Sequence, residues 1–211
     1  SKMAGVYFYI PQKKLKDVVD CGLKLSEWFD REISLPGLHG NVKVLKTLLN
    51  PRDDEKSLKD LSFACLRLEV SPEYCRVGDA DLYRLALKEP QLAEYHKMEF
   101  IPLKNYRFGT FRNPEVLVMA SVLPEKIEVT GKALDTPILY ESSEKLYLDN
   151  WMERQDEIWK DSGNHLLYAF FIYLEAQGQV VRFEDREEGK AAFFYRRNRE
   201  YIVLRIPKEG A

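Results

Sequence analysis

The sequence predicts an α+β protein: a mixed or antiparallel central sheet, followed by a helical and β-rich C-terminal extension. Three observations carry this expectation. Residues 6–10 form a β-branched and aromatic run, and residues 63–70 alternate Ala64, Leu66, Leu68 and Val70 against Cys65, Arg67 and Glu69, the period of a half-buried strand. Between such runs lie segments with helical spacing and capping residues. Past residue 134 the order changes to two helix-like stretches and then three strand-like runs. Residues 1–134 are therefore expected to form the core, with residues 135–211 an extension packed on it in one compact unit.

Along the chain, Pro11 follows the first strand and opens a segment in which Leu15, Val18 and Val19 recur at helical spacing, with Gly22 as the stop. Leu23 to Ser26 then returns toward the sheet, and Leu35-Pro36-Gly37 with His39-Gly40 is a loop by its turn chemistry. Asn41 suits the cap of a short helix holding Val44, Leu45, Leu48 and Leu49, with a strand as the alternative. Asn50-Pro51-Arg52-Asp53-Asp54 breaks whatever regular structure precedes it. Asp79 can cap a helix reaching Lys88, and residues 98–101, 115–119 and 127–130 read as strands. Ser142 or Ser143 can cap a long helix with Leu148, Trp151, Met152 and Trp159 as its apolar stripe. Asn164 can cap a second helix, apolar almost all round from Leu166 to Leu174 and so expected to be deeply buried. Residues 179–183, 191–195 and 201–206 are strand-like and are expected to extend or cover the first sheet.

Composition excludes several classes. Hydrophobic content of 45% with 31% charged residues describes a globular chain, and no apolar run approaches the roughly 20 residues of a membrane span. The first residues lack the basic-then-apolar order of a secretory signal, so a cytoplasmic location is expected. A net charge of −2 argues against an overall basic coat for nucleic acid, although a local basic face remains open. Cys21, Cys65 and Cys75 are odd in number and read as reduced thiols; His39, His96 and His165 are far apart, so no metal is expected.

The stretch Arg112-Asn113-Pro114-Glu115-Val116-Leu117-Val118 is the most informative. Pro114 cannot donate a hydrogen bond within a sheet and so marks the beginning of a buried strand, which puts Glu115 at the strand's mouth. A carboxylate held there, with an arginine and an amide upstream, suits a site that steadies positive charge developing on a sugar ring; the other reading is a partly solvated strand-end glutamate paired with Arg112. Tyr9 alternates with the apolar Val6, Phe8 and Ile10, as a ligand contact or as packing. Arg52 lies beside Asp53 and Asp54, free for a ligand or held in a surface ion pair, and His39 is a solvated loop histidine. Arg196, Arg197 and Arg199 adjoin Phe193, Phe194 and Tyr195, and acids at 184, 185, 187, 188 and 200 are expected to offset them.

Taken together, the aromatic opening strand, its helix closed by Gly22-Leu23, the Leu48-Leu49-Asn50-Pro51-Arg52 run and the Arg112 to Ile127 segment resemble the ADP-ribosyltransferase fold, in particular the DarT-like enzymes that transfer ADP-ribose from NAD to DNA. The resemblance covers roughly the first 130 residues, and where the family has His and Thr in its first strand this chain has Tyr9 and Pro11. It implies NAD as the substrate and Glu115 as the catalytic carboxylate. Arg52 would hold the pyrophosphate and Tyr9 the nicotinamide, with Asn113 standing where the wider superfamily often has Gln or Glu. The acceptor it implies is a nucleic acid or a protein. The altered first strand points to an alternative: a non-catalytic nucleotide-, nucleic-acid- or protein-binding module on the same fold.

Overall fold

The computed structural model describes residues 2–131, 142–153 and 163–208. The chain opens with β1 (Ala4–Pro11), α1 (Leu15–Cys21), the single turn α2 (Leu25–Trp28), β2 (Arg31–Ser34) and β3 (Asn41–Thr47). It continues with α3 (Glu55–Lys59), β4 (Phe63–Val70), β5 (Cys75–Asp79), α4 (Ala80–Lys88), α5 (Ala93–Met98) and β6 (Ile101–Pro102). Next come β7 (Pro114–Val118), β8 (Ile127–Thr130), α6 (Ser143–Glu153), α7 (Gly163–Ala176), β9 (Val180–Asp185), β10 (Lys190–Tyr195) and β11 (Tyr201–Arg205). This is an α+β architecture whose strand pairings among the described residues are antiparallel.

The expected central sheet is divided in two, β1-β4-β8 and β2-β3-β7-β5-β6, and the last three strands form a sheet of their own, β11-β10-β9, rather than extending the first. Val6, Ile10, Leu66 and Leu68 of the first sheet meet Leu45, Val77, Val116 and Val118 of the second in the main core. Tyr7 and Leu48 exchange backbone hydrogen bonds of 2.8 Å each, which ties β1 to the end of β3. The other face of the second sheet buries Ile33, Val44 and Leu117.

The third sheet is covered on both sides, which explains why β10, Lys-Ala-Ala-Phe-Phe-Tyr, is buried almost throughout. Ala191 and Phe193 face α6 and α7, where Tyr147, Trp151, Leu167 and Phe171 pack, whereas Ala192 and Phe194 face Leu82, Leu85 and Leu92 around α4. The extension thus shares an apolar cluster with a helix of the core.

Several elements depart from their sequence patterns. Residues 41–47 are a strand, not a helix: β3 pairs with β2 on one side and β7 on the other, and those ladders override the helical spacing of its leucines. Residues 23–26 make a backbone bridge to Val122 and then the turn α2, and residues 93–98 are helical, leaving only β6 of the expected strand at 98–101. Helix α7 is not deeply buried; Leu167, Phe171 and Leu174 form its inner stripe, while Tyr173 is 59% exposed. Trp159 and the change of pattern at 134–141 lie outside the described residues. Among those described, no helix is long and apolar enough to cross a membrane.

Candidate functional site

Where the core meets the extension, the molecule opens into a cleft of about 510 Å³. Residues 52–56 after β3, Arg112 and Asn113 before β7, Ser142 and Glu144 at the start of α6, Glu188 and Lys190 at the β9–β10 turn, and Arg205 at the end of β11 line it. The turn that presents Arg52 is built locally: Pro51 begins a short 3-10 helix, and the Asn50 side chain accepts a 2.9 Å hydrogen bond from the Arg52 backbone N–H. The two aspartates that follow are consumed as helix caps. Asp53 accepts from the backbone N–H and hydroxyl of Ser143 at 2.8 and 2.6 Å, and Asp54 from those of Ser57 at 3.1 and 2.7 Å. The expected ion pair within this turn therefore does not form, and the Arg52 guanidinium has no partner among the described residues.

The back wall is a chain of charges. Arg112, its side chain fully buried, donates to the Val203 carbonyl at 2.7 Å, to Asn164 Oδ1 at 2.8 Å and to Glu144 at 3.1 Å. Arg205 holds both oxygens of the same glutamate at 2.8 and 2.7 Å. Burial alone would raise the Glu144 carboxyl, but these two guanidinium groups override it and hold it at about 2. Asn164 does not cap α7; its amide bonds both the N–H and the carbonyl of Arg205, and Tyr147 Oη accepts from the Val203 N–H. The outer edge of β11 is thus closed by side chains in place of a neighbouring strand.

Beneath the cleft, Lys190 Nζ reaches Asp81 Oδ1 at 2.6 Å, and Asn113 Nδ2 lies 3.4 Å from the same oxygen. Asp79, which caps α4 through the backbone N–H groups of Asp81 and Leu82, also accepts the Tyr201 hydroxyl at 2.8 Å. Burial and the neighbouring Asp81 raise the Asp79 carboxyl well above the usual carboxylate range, and the hydrogen bonds it accepts only partly oppose this.

Glu115 is elsewhere. It opens β7 as the sequence implied, yet it shares a strand face with Leu117, away from the main core, and is not among the residues lining the cleft. It is 1% exposed and paired with Arg31, a residue of β2, while Lys46 Nζ stands 4.0 Å away. The partner is not Arg112, and the carboxylate is not solvated. Arg31 also stacks 3.9 Å over Tyr83, and the adjacent His96 imidazole, lowered to about 4 by burial and by the charge of Arg31, stays neutral. Gly78 makes room here, because a Cβ would lie 2.9 Å from Phe100 and 3.8 Å from Glu115 Oε1.

Of the residues singled out from sequence, the cleft brings together Arg52, Arg112 and Asn113. Tyr9 stands behind that wall, its half-buried phenol donating to the Pro51 carbonyl at 2.7 Å and remaining neutral because burial and Cys65 raise it. His39 is exposed in its loop. Arg196 and Arg197 are exposed at the β10–β11 turn, and the acids expected to offset them lie mostly at the opposite end of β10, where Asp185, Glu187 and Glu188 pair with Arg84 and Lys88. Arg31, Glu144, Lys190 and Arg205 were missed; their roles come from pairings across 32 to 109 positions, which no local pattern announces. No protein-family model, curated protein or solved structure matches this chain. The cleft is polar, holds a guanidinium without a partner among the described residues, and is set apart from a sealed carboxylate.

Proposed function

We propose that this protein is a non-catalytic binding module that holds an anionic, nucleotide-like ligand in the cleft between core and extension. The observation that carries this reading is Arg52. Its planar guanidinium suits phosphate oxygens, and it lines the cleft with no direct ion-pair partner among the described residues, the adjacent aspartates being turned to Ser143 and Ser57. Lys56 lines the same mouth, again with no acidic partner among the described residues, and a volume of about 510 Å³ is in the range of small-molecule sites. NAD and ADP-ribose are the first ligands to test, since the resemblance of the Pro51-Arg52 turn to the ADP-ribosyltransferases implies them. Thermal shift with each ligand should raise the melting temperature of the wild type, and Arg52→Ala should lose most of the shift. An equal shift in the variant, or none in either protein, would remove the cleft from consideration.

A second reading, an ADP-ribosyltransferase acting on a nucleic acid or protein acceptor, is favoured by one contact: Tyr9 bonds Pro51, so two of the three resembling segments meet. It requires Arg31 to leave Glu115 so that the carboxylate can reach a bound ribose. Release of nicotinamide from labelled NAD that is abolished in Glu115→Gln supports it; release that is absent, or unchanged in the variant, rejects it.

A further inference from the structure

The cleft stands on a buried pair of acids with a single cation in direct contact. Asp79 and Asp81 are 1% and 4% exposed, two residues apart at the start of α4. From β10 the pair meets Lys190, and from β11 the hydroxyl of Tyr201 and the field of Arg205. From α6 it faces the Tyr147 phenol, and from the segment before β7 it faces Asn113, Arg112 and the phenol of Tyr106. Glu99 adds its charge near Tyr201. Arg112 and Arg205 are already committed to Glu144, so Lys190 is the cation in direct contact with the pair. Asp81 Oδ2 is buried without a hydrogen-bond partner, an acceptor left open in a desolvated seam. Two carboxyls against one ammonium in such a place favour keeping one proton between them. The two groups that Asp81 holds, Lys190 and Asn113, are themselves lining residues of the cleft.

We propose that the Asp79–Asp81 pair is a proton-operated control on the cleft, more receptive to an anion when the two carboxyls hold one proton and less receptive when both are ionised. This rests on the anion-binding reading above and names its regulation. With one proton on the pair, the repulsion it exerts on an anion beside Arg52 is at its smallest. When the proton leaves, the charge beneath the cleft falls by one unit and Lys190 is drawn toward the pair. Linkage makes the effect reciprocal: an anion bound in the cleft strengthens the hold on the proton, so binding takes up a proton near neutrality. The raised carboxyl of Asp79 agrees with this window.

The test is calorimetric titration of the full chain with NAD, whose pyrophosphate diester keeps its charge constant from pH 6 to 8.5, in two buffers of different ionisation enthalpy. Affinity should fall roughly fivefold across that range, with proton uptake on binding near neutral pH. Asp79→Asn keeps an acceptor for the helix cap but cannot ionise, and Asp81→Asn removes the second acid; each should flatten the dependence. Should Asp79→Asn fail to fold, Asp81→Asn and the wild-type proton count still decide. A flat wild-type profile, or an undiminished slope in the variants, overturns the control while leaving the cleft reading intact. Absence of NAD binding at every pH defeats the cleft reading together with the control built on it.

Discussion

Glu115 occupies a position where a carboxylate is unfavourable unless a cation accompanies it, and Arg31 supplies that cation through two hydrogen-bonding contacts at 10% side-chain exposure. Removing one partner strands the other in the interior. Glu115→Ala should lower unfolding free energy by about 3 kcal/mol, whereas the paired replacement Arg31→Met with Glu115→Leu should recover most of that loss. Denaturant melts of the three proteins check this, and a single variant as stable as the wild type would show that the pair is not structural. Glu144 gives the matching prediction in pH. Its folded value lies below its ordinary value, so its contribution is present above about 4.5 and is lost as pH falls through about 2. Wild type and Glu144→Gln should therefore differ in denaturant midpoint at pH 6 and converge toward pH 2. At this scale the sequence was informative about position and misleading about partners, since it offered Arg112 to Glu115 where Arg31 pairs with it. Pro114 placed Glu115 at a strand's first turn, but residues 31–34 hold a single apolar side chain, Ile33, so neither β2 nor its arginine stood out.

Elements were legible where local chemistry and long-range pairing agree. Strand β4 has the alternation its residues promised except at Cys65, which is buried on the second face, and Asp79 caps α4 as its side chain allows. The helix α1 ends at Gly22, whose φ of 78° is left-handed. A second constraint at this glycine comes from the fold: an added Cβ would lie 2.4 Å from the Val122 carbonyl, the oxygen that accepts the Leu23 N–H at 2.8 Å. Gly22→Ala should then cost about 2 kcal/mol, more than the left-handed backbone penalty alone, because the bridge that joins α1 to the segment before β8 must shift. Thermal melts measure the loss, and hydrogen exchange at the Leu23 amide should accelerate with it; protection retained at wild-type level would confine the effect to backbone strain. Strand β3 is the counter-example. Val44, Leu45, Leu48 and Leu49 fall at helical spacing, but Val42, Val44 and Thr47 are β-branched, and pairing with two neighbouring strands settles the contest. In α7, a nearly continuous apolar run reads as burial on all sides, yet the third sheet offers only one face to pack on, so Tyr173 stays outside.

For the whole molecule the question is whether core and extension unfold as one body, since the cleft exists only while both are in place. Two kinds of contact join them. Leu82, Leu85 and Leu92 bury against Ala192, Phe194 and Val203, and around that cluster run Asp53 to Ser143, Asp79 to Tyr201, Asp81 to Lys190 and Arg112 to Val203, Asn164 and Glu144. Arg112 is the member on which the most partners depend. Truncating it leaves the Val203 carbonyl without its donor, removes one of two cations from Glu144 and opens a cavity beneath the third sheet, each of which acts on the extension, although the residue belongs to the core. Arg112→Ala should reduce stability by about 4 kcal/mol. If the seam makes the molecule cooperative, hydrogen-exchange protection in β4 and in β10 will fall by the same free energy and the unfolding transition will stay single. Protection lost in β10 with β4 untouched would instead divide the chain into two folding units, and a ligand bound in the cleft would then be what holds them together.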